Sequence, residues 1–414
     1  MLKFEIFTEK VIININLNNM SVHLKLDESF KAFQEDMINE KYASPLQIPI
    51  NIWQNPSWEL LKKEELEELL LPFLQFSLHR AIKTIPVYKG AYKNIPKIDS
   101  FQDFQSIPIL VKDSTNGDIG FREKMITNPY ILSPNDIKSH YQVYRSGGTK
   151  GEATPTFITP LDREIESAAL ARAFSYIGFS EGDRILSTYN PTHKGGEEIK
   201  ESILKIGATY IPRRSTDSAE DLIKLIEHYN INAVITSQGP VSDGDKVAKG
   251  GGTSLLSLIE AGHDVIEKHV EKIALAGYNI IDDVINWAQT FKKPVASLLG
   301  SSEAIPQGAS ISSPNGTKIC QFNNLHLFNG PHYIEVVKEE DNTIVPVKKG
   351  EKGLLVYTTI AREGTIYIRY APGDEATLLV NESECECGLK SKIISNINRI
   401  DNPNDIISTG CCIG

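Results

Sequence analysis

From residue 162 to residue 299 the chain repeats one pattern, a helical stretch followed by a short apolar run. The periodicity predicts helix Asp162–Ile177 then strand Arg184–Thr188, helix Glu197–Ile206 then strand Thr209–Pro212, and helix Ala219–His228 then strand Ala233–Thr236. Helix Gly252–Val270 then strand Lys272–Ala276, and helix Ile281–Thr290 then strand Pro294–Leu299, complete it. Strands separated by helices cannot pair as hairpins. They pair in parallel and need helices over their faces. The fold class this predicts is α/β, with a largely parallel sheet covered by helices. After residue 330 the pattern changes to short strands and turns (HYIEVV, GLLVYTTI, TIYIRYA), which predicts a smaller β sublobe.

The N-terminal part reads differently. Strand-like alternation at Val11–Leu17 and Val22–Leu26 precedes a short helical pattern near Phe30–Asn39. An amphipathic helix is expected from Trp58 to about Thr84, with Pro72 kinking or dividing it. Glycine, proline and aspartate then mark residues 89–136 as loop-rich. The expected organisation is an extension over 1–57, a helical and loop-rich region over 58–139, an α/β core over 140–318, a β sublobe over 319–400 and a chain end over 401–414.

Composition narrows the function. The 414 residues are 41% hydrophobic and 23% charged, ordinary for a globular chain. Lys and Arg number 43 against 53 Asp and Glu, a net charge of −10, which argues against a general nucleic-acid binder. No apolar run approaches the roughly 18 residues of a membrane helix. The N-terminus, MLKFEIFTEK, lacks a signal-peptide pattern. Five cysteines are too few for a disulfide scaffold of this length, so a cytoplasmic setting is expected.

The strongest local signal is the run from Tyr144 to Pro155, YRSGGTKGEATP, between apparent strands HYQVYR and TPTFIT. A dinucleotide fingerprint or a Walker loop would open a helix instead. Here glycines Gly147, Gly148 and Gly151 let backbone N–H groups approach phosphate oxygens. Ser146 and Thr149 add hydroxyls, and Lys150 adds charge. A flexible surface hairpin is the plain alternative. A second pattern is Cys320-x5-His326, with Cys385-x-Cys387-Gly388 about sixty residues on. Three thiolates and one imidazole suit a closed tetrahedral zinc site of structural type. Unrelated buried thiols are the alternative, and His332 is another candidate fourth ligand.

Several stretches together resemble the adenylate-forming superfamily, in its phenylacetate–CoA ligase-like branch. S-G-G-T-K-G-E-A-T resembles its phosphate loop. Leu66–Tyr88, ending TIPVY, looks like its N-terminal helix, and SIPILVKD (106–113) looks like its "LP-x-T-K-D-D" stretch. The run 182–212, GDRILSTYNPTHKGGEEIKESILKIGATYIP, GSSEA (300–304), the run 351–374 ending in RYAPGD, and CECGLKSKIISNINRIDNPNDII follow in the family's order. The resemblance spans roughly residues 58–414. Departures include Lys150 for threonine, Ala153 for proline, Asn398 for the glycine before Arg399, and Ala371-Pro372 before Gly373-Asp374.

The resemblance implies activation of a carboxylic acid, aromatic by analogy, as its acyl-adenylate, using ATP and Mg²⁺, with CoA as a further cofactor. It implies that Glu303 helps hold Mg²⁺ with Ser301 and Ser302 on the same strand end. Thr149, Lys150 and Glu303 would carry the catalysis. Asp374 would accept the ribose hydroxyls, and Arg399 would reach ribose or phosphate. Gly277, Tyr278 and Asn279 would border the adenine. Taken alone, Asp374 is a good turn residue and Glu303 a helix cap. Tyr189, Asn190, His193 and Lys194 lie at a strand end, where they would meet the acid or form a solvated loop. Relatives in this branch continue past the position of Gly414 with a small domain carrying a lysine, so these 414 residues are expected to adenylate slowly and form little thioester. Acyl-protein synthetases and phenazine-biosynthesis adenylating proteins are shorter members. They bring in an acyl-acceptor protein or a homodimer as partner and Cys411 or Cys412 as acyl acceptors. A non-catalytic nucleotide- or acid-binding relative is the third expectation.

Overall fold

The computed structural model describes residues 26–92, 95, 97–112, 121–135, 141–146, 153–237, 241–243, 246–248, 254–277, 279–311, 318–341, 343–381 and 385–400. Its centre is a parallel set of strands, β1 (Arg184–Ser187), β2 (Thr209–Pro212), β3 (Ala233–Thr236), β4 (Lys272–Ala276) and β5 (Val295–Leu299), in the order β2-β1-β3-β4-β5. Helices α1 (Pro160–Ile177), α2 (Lys194–Lys205), α3 (Ala219–His228), α4 (Leu255–His269) and α5 (Asp282–Thr290) cover it. The two-residue period of a strand divides the apolar side chains between two faces. Ile185, Ile235, Ala274 and Ala296 pack with Phe174 of α1 and with Ile199 and Ile203 of α2. Their neighbours Leu186, Val234, Ile273 and Val295 pack with Leu222 of α3, Leu258 of α4 and Val284 of α5.

Local chemistry sets the helix ends. Thr159 caps α1 in a reciprocal pair with Asp162, and Gly178, at φ 101°, ends it. Helix α2 begins at Lys194, three residues before the expected Glu197. Gly195 and Gly196 are poor helix formers and hid that first turn. Gly196 is required there, because a Cβ would stand 2.0 Å from the Asn190 carbonyl oxygen.

The N-terminal helix runs from Lys63 to Thr84 with Pro72 inside it, so Pro72 does not divide it in two. Burial of Leu69, Leu70, Phe73 and Leu74 on one face offsets the missing hydrogen bond. Residues 28–60 share this core. Trp53 stacks on Trp58 with centroids 5.3 Å apart, and both join Phe30, Phe73, Tyr88 and Tyr370 in one cluster. Packing is therefore continuous across the boundary expected at 57/58. The expected strands within 1–25 lie outside the described residues.

The C-terminal part is antiparallel: β6 (Leu325–Leu327), β7 (His332–Glu340), β8 (Lys352–Thr359), β9 (Asp374–Val380) and β10 (Ile393–Arg399). It continues the parallel half. Strand β5 pairs with Gly308–Ala309, that pair with β6, β6 with β10, β10 with β9, and β9 with β8. Tyr370–Ala371 pairs with β8 and, in parallel, with Leu110–Val111. The result is one 14-stranded sheet. Among the described residues, no helix is long and apolar enough to cross a membrane.

Candidate functional site

Ligands of open α/β sheets collect at the carboxyl ends of parallel strands. Three such ends carry residues singled out above. Strand β1 leads through Tyr189, Asn190 and His193 into α2. Strand β4 leads to Gly277, at φ 102°, and to Asn279. Strand β5 leads into the turn holding Ser301, Ser302 and Glu303.

Glu303 is buried, and its Oε1 lies 2.6 Å from Nζ of Lys112, which is equally buried. Lys112 follows Leu110–Val111, and its backbone N–H donates to the Ala371 carbonyl. Burial alone would push the Glu303 carboxyl up. The Lys112 ammonium, by charge and hydrogen bond, overrides it and holds the group at about 2. Ser301 Oγ accepts from the backbone N–H groups of Glu303 and Ala304, both at 3.3 Å, and from Gln307 Nε2 at 2.9 Å. These bonds shape the turn. Ser302 is partly exposed.

Asp374 opens β9 opposite Arg399 of β10, and Arg399 Nη1 donates to its Oδ1 at 2.8 Å. Burial pushes the Asp374 carboxyl up, Arg399 opposes this, and the Glu303 charge adds to the rise. The two acid–base pairs thus share one electrostatic neighbourhood. Tyr357 of β8 feels both carboxylates and donates its hydroxyl to Gln307 Oε1 at 3.0 Å. Asn279 Nδ2 donates to the Ile397 carbonyl at 2.8 Å, tying the end of β4 to β10.

The glycine-rich run is carried by a hairpin, Gln142–Arg145 against Pro155–Ile158. Ser146 closes its base, since Ser146 N donates to the Thr154 carbonyl and Thr154 N to Ser146 Oγ, each at 3.0 Å. Glu197 of α2 anchors it, accepting from the Tyr144 hydroxyl and from Gln142 Nε2. Gly147, Gly148, Thr149, Lys150 and Gly151 lie outside the described residues, as do Tyr278, Cys411 and Cys412.

The strand-end residues expected to meet the acid differ in setting: Asn190 and His193 are exposed, Tyr189 is partly buried and Lys194 is buried. The Tyr189 hydroxyl donates to the carbonyls of Ala276, at 2.6 Å, and Thr236, at 3.2 Å, tying two strand ends together. Asn190 Oδ1 accepts from Thr192, and His193 caps α2 by accepting from Gly195 N. Lys194 is fully buried, not solvated, with Nζ 2.8 Å from Glu166 Oε2.

The thiol and imidazole atoms of Cys320, His326, Cys385 and Cys387 lie within 4.8 Å of one another. His326 Nε2 is 3.2 Å from Cys387 Sγ. His326 Nδ1 is 3.1 Å from both the carbonyl and the hydroxyl of Ser391. That outer contact fixes the ring and leaves Nε2 to face the thiols, the arrangement of a metal-bound histidine. A soft donor set, mostly buried, suits zinc. His332 is not part of it. Its Nε2 faces Glu166 Oε1 at 3.2 Å and the Ile305 carbonyl at 3.3 Å, which sets aside the alternative fourth ligand.

Sequence patterns had not marked Lys112, Gln307, Tyr357, Glu166 or Arg362. Lys112 stood inside the SIPILVKD stretch, but its partner lies 191 residues away.

No protein-family model matches the chain. The fold is that of a solved CoA ligase. An open 2-hydroxyisobutyryl-CoA ligase, in complex with 2-HIB-AMP and CoA, superposes with a TM-score of 0.67 at 18% identity, covering 84% of this chain and 78% of that one. In sequence the chain is similar to phenylacetate–CoA ligases. It is 23% identical to the phenylacetate-coenzyme A ligase of Escherichia coli K12 over 336 residues, 78% of this chain and 69% of the relative. To the Thermus thermophilus enzyme it is 23% identical over 341 residues, 80% and 70% of the two chains.

Proposed function

We propose that this protein activates a carboxylic acid with ATP, forming an acyl-adenylate and pyrophosphate, with onward transfer to CoA or another thiol. One observation carries it. Two carboxylates, each paired with a cation, feel one another's charge: Glu303 in the turn after the last parallel strand and Asp374 at the start of β9. In the reaction a carboxylate oxygen bonds to the α-phosphorus, and the bond to the bridging oxygen of pyrophosphate breaks. Both reactants are anionic, so charge must be neutralised and the attack aligned.

Asp374 is the group to accept the ribose hydroxyls, with Arg399 orienting its carboxylate. Gly277, Tyr278 and Asn279 are proposed for the adenine edge. The glycine-rich hairpin, with Thr149 and Lys150, is proposed for the phosphates. Glu303 fits a cation, because the Lys112 ammonium already rests on it, and it is the residue that would hold Mg²⁺. When bound, that ion supplies positive charge to the phosphate oxygens. Zn²⁺ on Cys320, His326, Cys385 and Cys387 would be structural, since all four positions are protein ligands. The resemblance suggests an aromatic acid.

Acid-dependent exchange of pyrophosphate into ATP tests the proposal. ATP bound tightly without exchange, across a broad panel of acids, would defeat it. Thr149→Ala combined with Lys150→Ala is expected to weaken ATP binding several-fold or more, because charge-assisted contacts to phosphate are lost. Calorimetry that finds ATP affinity unchanged would remove the loop from the site. Asp374→Ala is expected to lower nucleotide affinity by about 1.5–3 kcal/mol, the usual contribution of hydrogen bonds to a charged acceptor. A lowered melting temperature with unaltered affinity would make Asp374 a turn residue instead.

A further inference from the structure

Behind the Glu303 turn lies a buried charge cluster to which the activation chemistry gives no role. Glu166 of α1 is its hub. One carboxylate oxygen is met by Arg362 and, at 3.2 Å, by His332, and the other by Lys194 at 2.8 Å. All four side chains are buried. Arg362 follows β8, His332 opens β7 and Lys194 opens α2, so three other parts of the fold converge on one residue of α1.

The cluster reaches the turn through backbone. The carbonyls of Glu303, Ala304 and Ile305 each have a hydrogen-bond partner. That of Ala304 is held locally, by Ser301 N at 2.9 Å and Gln307 Nε2 at 3.2 Å. The other two are held by residues distant in sequence. Arg362 Nη2 donates to the Glu303 carbonyl at 3.1 Å, and His332 Nε2 reaches the Ile305 carbonyl at 3.3 Å. Both groups facing His332 Nε2 are acceptors, so that nitrogen carries the proton. Arg362 is itself set against α1, because the next two backbone N–H groups, of Glu363 and Gly364, donate to Asp162 at 2.6 and 2.9 Å. Local bonds fix the shape of the turn. The two distant ones fix where it stands relative to α1, and hence how the Glu303 carboxylate is aimed.

Resting on the activation proposal, we infer that Arg362 and His332, held by Glu166, are positioning residues for the Glu303 carboxylate. They act through the turn and not on a reactant. By holding the backbone on either side of Ala304, they let the carboxylate meet Mg²⁺ in one geometry. Removing a group that orients a metal ligand typically costs about 10- to 100-fold in metal affinity or activity.

Three measurements on the full chain test this: acid-dependent pyrophosphate exchange across a range of Mg²⁺ concentrations, AMP binding by calorimetry, and amide hydrogen exchange in the peptide covering residues 299–307. Arg362→Met leaves Glu166 paired with Lys194. It is expected to lower pyrophosphate exchange about 10- to 100-fold and to raise the Mg²⁺ concentration for half-maximal rate several-fold. Amide exchange in the turn should quicken, while AMP affinity is retained because the Asp374–Arg399 pair is untouched. Arg362→Lys keeps a cationic donor at the turn and should restore most of the lost rate. His332→Leu keeps Glu166, Arg362 and Lys194 in place and should move the same readouts in the same direction, so it decides the question if Arg362→Met does not fold. Folded variants with wild-type rate, Mg²⁺ demand and turn protection would show a structural cluster only and overturn the inference alone. Wild-type protein that exchanges pyrophosphate with no acid of any class would defeat the activation proposal itself, and the amide comparison would still show whether the cluster holds the turn.

Discussion

Glu303→Gln is expected to lower acid-dependent pyrophosphate exchange by about 100- to 1000-fold, the usual loss when one preorganised electrostatic contact at a transition state is removed. The same change strands the Lys112 ammonium, held 2.6 Å from Glu303 Oε1 in a buried setting. Breaking a buried pair from one side typically costs about 3–5 kcal/mol. Activity and stability will therefore fall together in the single variant, and the double variant Glu303→Gln, Lys112→Met separates them. It removes both charges and should recover most of the lost melting temperature, while exchange stays low. Recovery of exchange along with stability would show that Glu303 only holds the fold.

One zinc ion per chain is expected in protein purified without a polyhistidine tag. Cys385→Ser or Cys387→Ser should reduce both the zinc content and the melting temperature. Metal binding at a closed site is also folding free energy, because the unfolded chain has no preformed site. The effect should be large, since the ligands come from three separate stretches. Cys320 ends a short 3₁₀ turn, His326 sits in β6, and Cys385 and Cys387 precede β10. Metal analysis that finds fully folded protein with no zinc or other bound metal would end the proposal.

The parallel half of the molecule was legible because strand and helix periods differ and its apolar residues keep to them. Ile185 and Leu186 go to opposite faces as a two-residue period requires. Features set by local chemistry against the pattern were less legible. Gly195 and Gly196 concealed the start of α2, and Pro72 suggested a break that burial of its neighbours suppresses. The partners of buried charges were not legible at all. Glu166 and Arg362 stand 196 residues apart, and each looks in sequence like an ordinary surface residue. Motif order placed Glu303 at a strand end, but only the fold brings Lys112 against it. The Cys/His spacing succeeded in naming residues that come together because few other residue types share that chemistry.

The proposed metal centre and the proposed nucleotide end of the sheet are joined by backbone. Across the junction Leu298 pairs with Ala309, Ala309 with His326, and His326 with Ile393. Leu298 lies in β5, whose end carries the Glu303 turn. A reagent that strips zinc would therefore loosen the ladder that aims this turn without entering the nucleotide pocket. Such a reagent should act as a slow inactivator: its effect deepens with time of exposure, and added ATP does not compete it away as it would an occupant of the pocket.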